Sequence, residues 1–141
     1  MSERLSSPFL DALRSRVLVA DGAMGTALQA HDLSLDDFGG LEGCNEILNV
    51  TRPDVVRSVH RGYLEAGADA VETNTFGANF ANFAEYGITG RIFELAEAGA
   101  RLARETADEF RDAGPPAVRA RLDRAGHQAP DTRPRAVHHA A

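Results

Sequence analysis

An acidic residue followed by two small residues is the first place in this chain where chemistry could occur. The apolar run at residues 17–20 ends at Asp21, and Gly22 and Ala23 come next. A buried strand that stops at a carboxylate and small residues leaves a charge and backbone amides open to a ligand. The pattern therefore predicts a ligand-binding loop at the end of a buried strand. Asp21 also has a structural alternative, since Asp-Gly is a common turn dipeptide.

A second polar segment repeats this arrangement. The apolar residues 68–71 form a second predicted strand and lead into Glu72, Thr73, Thr75 and Phe76. The two threonines could contact a ligand or hydrogen-bond to neighbouring backbone at the strand end. We expect Glu72 to be a paired structural charge, and Phe76 to be a core residue rather than the wall of a site.

A helix is predicted after Thr51, which is suited to be its N-cap, with Pro53 in its first turn. Gly67 is suited to end this helix in a left-handed conformation. Apolar residues recur along it at helical spacing, so that one face must pack against another element. These residues are Val55, Val56, Val59, Tyr63 and Leu64.

A longer helical pattern extends over residues 92–110, with Gly99 on its apolar face, where a glycine permits close packing. A shorter helix is predicted between the second strand and this pattern, and its markers are Phe80, Phe83, Tyr86 and the closing Gly87. Strands followed by amphipathic helices indicate an α/β fold with parallel pairing. In such folds ligands bind beyond the carboxyl ends of the strands, so we expect residues 21–26 and 73–77 to share one pocket.

Composition restricts the class of protein. The chain has 141 residues, 43% of them hydrophobic, which fits one ordinary domain. No apolar run approaches the roughly 20 residues that span a bilayer, and the N-terminus has no signal-peptide pattern. The single Cys44 indicates a reducing compartment, and a net charge of −6 argues against nucleic acid and anionic membranes as partners. A soluble, cytoplasmic protein is therefore predicted.

Three segments, taken in order, resemble one enzyme family. The segments are VLVADGAMGTALQ, GCNEILNVTRPDVV and YLEAGADAVETNTFGAN. They are similar to the opening of the homocysteine S-methyltransferase domain of cobalamin-dependent methionine synthases, and the resemblance extends from about Arg14 to Phe110. A single DGAMG is a weak signal, whereas the ordered combination is specific.

The resemblance implies a (β/α)8 barrel that binds homocysteine and a catalytic zinc at its carboxyl rim. In that family three cysteine thiolates hold the zinc, which keeps the homocysteine sulfur as a thiolate, and this thiolate attacks a methyl group. The methyl group comes from methyltetrahydrofolate and is carried on cobalamin by separate domains. By position, Asp21 matches the residue that neutralises the substrate ammonium, with Gly22 and Ala23 near its carboxylate. The second rim loop is matched by Thr73, Thr75 and Phe76.

This chain departs from the family in length and in cysteines. Such a barrel needs roughly 250 residues, whereas only two convincing strands are found among the 141 residues here. The expected architecture is a partial barrel of two βα units over residues 1–110. The family's zinc cysteines lie beyond the matched stretch, so we assign no catalytic or metal residue and expect neither zinc nor cobalamin on this chain. Cys44 is expected to be a partly buried thiol, and His31 and His60 to be surface groups.

Residues 111–141 differ in composition from the rest. They hold three acidic residues and six arginines, against 18 and nine in residues 1–110, and four of the six prolines. This composition predicts an irregular, disordered tail. Read one nucleotide out of frame, residues 115–135 become RPRFVLGSIGPGTKLPTLGH, which resembles the family's next strand and loop. We hypothesise that residues 111–141 are a frameshifted, non-native end, and an intact frame in the coding DNA would refute this.

Three functions remain open from the sequence. The first is the N-terminal part of a methyltransferase that makes methionine from homocysteine with methylcobalamin, inactive as an isolated chain. The second is a related homocysteine methyltransferase that uses betaine or S-methylmethionine as the donor. The third is a non-enzymatic α/β module that presents Asp21 and the rim loops to an amino acid or a partner. Calorimetry with homocysteine, with and without zinc, separates the third from the others.

Overall fold

The two predicted strands meet at a single point. In the computed structural model, which describes residues 7–112, Ala20 and Ala70 form an isolated parallel β-bridge. The Asp21 amide donates to the Ala70 carbonyl at 3.0 Å, and the Asp69 amide donates to the Val19 carbonyl at 2.7 Å. The pairing is parallel as predicted, but no extended strand forms within residues 7–112.

The expectation that residues 17–20 are buried is wrong. Val17 is 85% exposed and Val19 is 55% exposed. A two-stranded contact is marginal alone, because the β-branched side chains of a strand need a third strand or a helix to cover them. In the described part of the chain, both valines are left more than half exposed.

Helices make up the regular structure of residues 7–112. They are α1 Pro8–Ser15, α2 Met24–Gln29, α3 Leu48–Thr51, α4 Pro53–Glu65, α5 Phe80–Glu85 and α6 Ile92–Asp112. Short 3₁₀ helices at Asn45–Ile47 and Thr89–Arg91 precede α3 and α6. None of the helices in the described range is long and apolar enough to cross a membrane. Beyond Asp112, the predicted tail lies outside the described residues.

The N-cap of α4 is not the residue that the sequence predicted. Pro53 occupies the first turn as predicted, but Thr51 is the last residue of α3 and not the N-cap of α4. Its hydroxyl donates to the Ile47 carbonyl at 3.1 Å, a bond to the preceding turn that competes with capping. Arg52 takes the capping position, and Gly67 ends the helix region with a φ of 99°, as predicted.

The two later helices were predicted correctly. α6 begins at Ile92 and continues to Asp112, and α5 is followed by Gly87 at a φ of 69°. α4 packs against α6, and α3 packs against both. An apolar core lies among these elements, and its buried members are Leu28, Cys44, Ile47, Leu48, Val55, Val56, Val59, Phe83, Leu95 and Leu102.

Two side chains are more buried than the sequence indicated. Cys44 is 1% exposed rather than partly buried, and burial raises the pKa of its thiol. His60 is fully buried rather than on the surface, because it lies one helical turn from Val56 and from Leu64 on the packed face of α4. Neither ring nitrogen of His60 has a hydrogen-bond partner among the described residues. His31 is exposed as expected.

Candidate functional site

Three segments line an open cavity of about 400 Å³ next to the β-bridge. They are the first rim loop (residues 21–25), the connecting segment (Asn45 and Glu46) and the second rim loop (residues 72–76). The structure therefore brings together the two loops that the sequence placed at one rim. The connecting segment, which the sequence analysis did not assign to the site, forms a third wall.

Asp21 joins the two rim loops. Its Oδ1 accepts a hydrogen bond from the Glu72 amide at 3.0 Å, so that the carboxylate bonds across to the other loop rather than within its own turn. Gly22 allows α4 to approach, because a Cβ there would lie 3.1 Å from the Tyr63 hydroxyl. That hydroxyl donates to the Ala23 carbonyl at 3.4 Å. Asp21, Gly22 and Ala23 all line the cavity.

The predicted residues of the second rim loop behave differently from one another. Thr73 lines the cavity and shares a 2.6 Å hydroxyl–hydroxyl bond with Thr75, which does not line it. Phe76 lines the cavity and is 98% exposed, so the expectation of a core residue is wrong. Glu72 is exposed and has no ion-pair partner within residues 7–112, so its expected pairing stays a prediction.

Sequence reasoning missed the buried polar groups in the second rim loop and behind it. Glu46 is 7% exposed, and its Oε1 accepts a hydrogen bond from the Gly77 amide at 2.6 Å. Asn49 and Asn74 are 3% and 4% exposed and bond to each other. The sequence did contain a signal for two of them, because Glu46 and Asn49 interrupt an apolar helical pattern. A polar side chain buried in such a pattern requires a specific hydrogen-bond partner.

The lining of the cavity is acidic. Asp21, Glu46 and Glu72 contribute carboxyl groups, and none of the residues lining this cavity is an arginine, a lysine or a histidine. Carboxylates without balancing cations attract a positively charged group and oppose an anion. The electrostatics of the cavity therefore favour a ligand that carries an ammonium group.

A zinc held by thiolates does not fit the residues of this chain. Zinc ligands of this type must be deprotonated cysteines, and the sequence contains one cysteine. That residue, Cys44, is buried in the core with a raised thiol pKa. Within residues 7–112, no group of three or more histidine, cysteine or acidic side chains is arranged to hold a metal ion.

A family model described as homocysteine S-methyltransferase matches residues 18–134. The chain belongs to this family of methyltransferase enzymes.

Two curated relatives narrow the comparison. The chain is 65% identical over 101 residues to a methionine synthase of Mycobacterium tuberculosis (strain ATCC 25618 / H37Rv). It is 60% identical over 101 residues to a methionine synthase of Mycobacterium leprae (strain TN). Each alignment covers 72% of this chain and 8% of the relative. The chain thus spans a small part of the length of the relatives that it matches.

Proposed function

We propose that this chain carries the homocysteine-recognition part of a methyltransferase that converts homocysteine to methionine. The observation that carries the proposal is the acidic cavity in which the Asp21 loop and the Thr73 loop meet. Membership of the homocysteine S-methyltransferase family supports the substrate class. The relatives' name, methionine synthase, supports methionine as the product. The methyl donor of the whole enzyme in this proposal is methylcobalamin, charged from methyltetrahydrofolate, as the sequence resemblance implies. Residues 1–110 correspond to the first two βα units of its barrel.

Each lining residue has a role in this proposal. The Asp21 carboxylate pairs with the substrate ammonium through Oδ2, since its Oδ1 is bonded to the Glu72 amide. Gly22 and Ala23 offer backbone near the substrate carboxylate. The Thr73 hydroxyl, oriented by its bond to Thr75, gives a polar contact. Phe76 gives an apolar surface for the methylene groups.

Binding of homocysteine by the 141-residue chain tests the proposal. We expect calorimetry to detect binding, and we expect Asp21→Asn to weaken it about tenfold to a hundredfold, the effect of losing a charge-assisted hydrogen bond. Asp32→Asn is the matched control, since Asp32 is an exposed acid outside the cavity. The deaminated analogue 4-mercaptobutanoate is expected to bind as weakly as homocysteine does to Asp21→Asn. Equal binding of homocysteine and the analogue by the wild-type chain would contradict the proposal.

A non-enzymatic amino-acid-binding module is the second candidate. It is favoured by one observation: the described residues that line the cavity include no cysteine or histidine. Homoserine, which has a hydroxyl in place of the thiol, separates the two candidates. A pocket that recognises only the amino-acid end binds homoserine and homocysteine equally, whereas a pocket in which Phe76 also contacts the ligand side chain prefers the less polar thiol of homocysteine.

A further inference from the structure

Two buried asparagines connect the second rim loop to the helices behind it. Asn74 Nδ2 donates to Asn49 Oδ1 at 3.0 Å, and Asn49 Nδ2 donates back to the Asn74 carbonyl at 2.8 Å. Asn49 Nδ2 also donates to the Leu95 carbonyl of α6 at 3.0 Å. Asn74 Nδ2 also donates to the Asn45 carbonyl at 2.8 Å. We call Asn49 and Asn74, with these four bonds, the amide clasp.

The clasp fixes the loop in one position. Each side-chain NH₂ group donates to two oxygens, and the opposite amide orientation would set an oxygen against those oxygens. Asn49 and Asn74 are 3% and 4% exposed, so a broken bond is not replaced by bulk water. Displacing the loop therefore leaves buried polar groups without partners.

α6 contacts the clasp from the other side. A Cβ at Gly99 would lie 2.7 Å from Asn49 Nδ2, 2.8 Å from Thr75 Cγ2 and 3.2 Å from the Asn74 carbonyl oxygen. These distances leave no room for a methyl group. The glycine lets α6 pack directly on the loop that carries Thr73 and Phe76.

The clasp anchors the backbone at the centre of the second rim loop. Asn74 follows Thr73 and precedes Phe76 by two residues, and both of these line the cavity. We propose that Asn49 and Asn74 are positioning residues that set the distance of Thr73 and Phe76 from Asp21, and with it the length of amino-acid side chain that the pocket accepts. This inference rests on the proposed function for its ligand.

Asn49→Asp tests the clasp in the 141-residue chain. This substitution keeps the size of the side chain but replaces the donor of two hydrogen bonds with an oxygen. We expect hydrogen exchange at the Thr75 and Gly77 amides to become at least tenfold faster, with little change in α4. We also expect the ratio of the homocysteine affinity to the cysteine affinity to fall at least fivefold. The matched control is Asn82→Asp, at an exposed asparagine whose side chain makes no bond to the clasp.

Gly99→Ala is a second variant, which keeps both asparagines but crowds the amide clasp with a methyl group. Gly62→Ala is its control, because Gly62 also lies inside a helix and a Cβ there meets nothing within 4 Å. Two outcomes would show a merely structural role and overturn the inference. One is hydrogen exchange that becomes faster by the same factor in α4 and in the second rim loop. The other is a fall in the affinities for homocysteine and for cysteine by the same factor. A wild-type chain that binds no homocysteine overturns the proposed function, whereas the exchange rates still test whether the clasp holds the loop.

Discussion

The Asp21 carboxylate and the Glu72 amide are joined by a 3.0 Å hydrogen bond between loops that lie 51 residues apart in sequence. The bond extends the pairing that begins at Ala20 and Ala70. One carboxylate oxygen therefore holds the second rim loop, while the same group places a negative charge in the cavity. Asp21 thus has a structural role beside its proposed binding role, and the two can be separated by substitution.

Asp21→Asn and Asp21→Ala are expected to differ in stability but not in binding. Asparagine keeps an oxygen acceptor for the Glu72 amide but loses the charge, whereas alanine loses both. We expect Asp21→Ala to lower the free energy of unfolding by about 1 kcal/mol, and Asp21→Asn to change it by less than about 0.5 kcal/mol. Both are expected to weaken homocysteine binding. Urea denaturation measures the difference, and equal destabilisation by the two would argue against the hydrogen bond.

Gly77→Ala is expected to destabilise the second rim loop. A Cβ at this position would lie 2.7 Å from Oε1 and 2.9 Å from Cδ of the buried Glu46, whose carboxylate also binds the Gly77 amide. We expect a loss of about 1–3 kcal/mol, the usual cost of overpacking a filled site. Gly90→Ala provides the control, because a Cβ there meets nothing within 4 Å. A Gly77→Ala chain as stable as the Gly90→Ala chain would show that Glu46 moves away without loss.

His60 is expected to make the chain less stable in mild acid. Burial lowers its pKa from the ordinary 6.5, while the negative charge of Asp21 opposes that shift. Below about pH 6.5 the unfolded chain takes up a proton before the folded chain does, so the free energy of unfolding falls as the pH decreases. The contribution is present above this pH and is lost as the pH falls through the folded pKa.

Urea midpoints measured from pH 8 to pH 5 test this pH dependence. We expect His60→Leu to flatten the decline, since leucine fills the buried site without titrating, and His31→Gln at the exposed histidine to leave it unchanged. Asp37 does not contribute to a decline between pH 8 and pH 5, because hydrogen bonds from Ser34 and Arg52 lower its pKa from 3.8 to about 2. A decline that persists in His60→Leu would assign the acid sensitivity to another group.

Ion pairs between α4 and α6 are expected to give a small, salt-dependent stabilisation. Arg57 pairs with Glu105 and Glu109, and Arg61 pairs with Glu109. All four side chains are more than a third exposed, and pairs of this kind contribute about 0.2–1 kcal/mol. Glu109→Gln should lower the free energy of unfolding by less than about 1 kcal/mol, and the difference should vanish near 1 M salt.

Glu97→Gln serves as the control for this comparison. Glu97 lies on the exposed side of α6 and has no ion pair within the described residues. The loss in Glu109→Gln should therefore exceed that in Glu97→Gln at low salt. A difference that persists in 1 M salt would indicate a packing effect rather than a charge effect.

Local pattern predicted the helices better than the strands. Two features were sufficient to predict these helices: the apolar periodicity of α4 and α6, and the glycines after α4 and α5. They were sufficient because helical hydrogen bonds form within one segment. The prediction that Thr51 caps α4 was wrong because the Thr51 hydroxyl donates a hydrogen bond to the preceding turn. The strands failed to extend because their hydrogen bonds and their cover must come from other segments.

The sequence by itself determined the family, the helices α4, α5 and α6, and the meeting of the Asp21 and Thr73 loops, since the order of strand and helix places both loops at one rim. Only the tertiary structure decided that His60 is buried, that Phe76 is exposed, and that Asn49 and Asn74 join the second loop to α6. Side-chain burial and hydrogen-bond partners depend on contacts between residues far apart in the chain. A pattern read along a single segment does not contain those contacts.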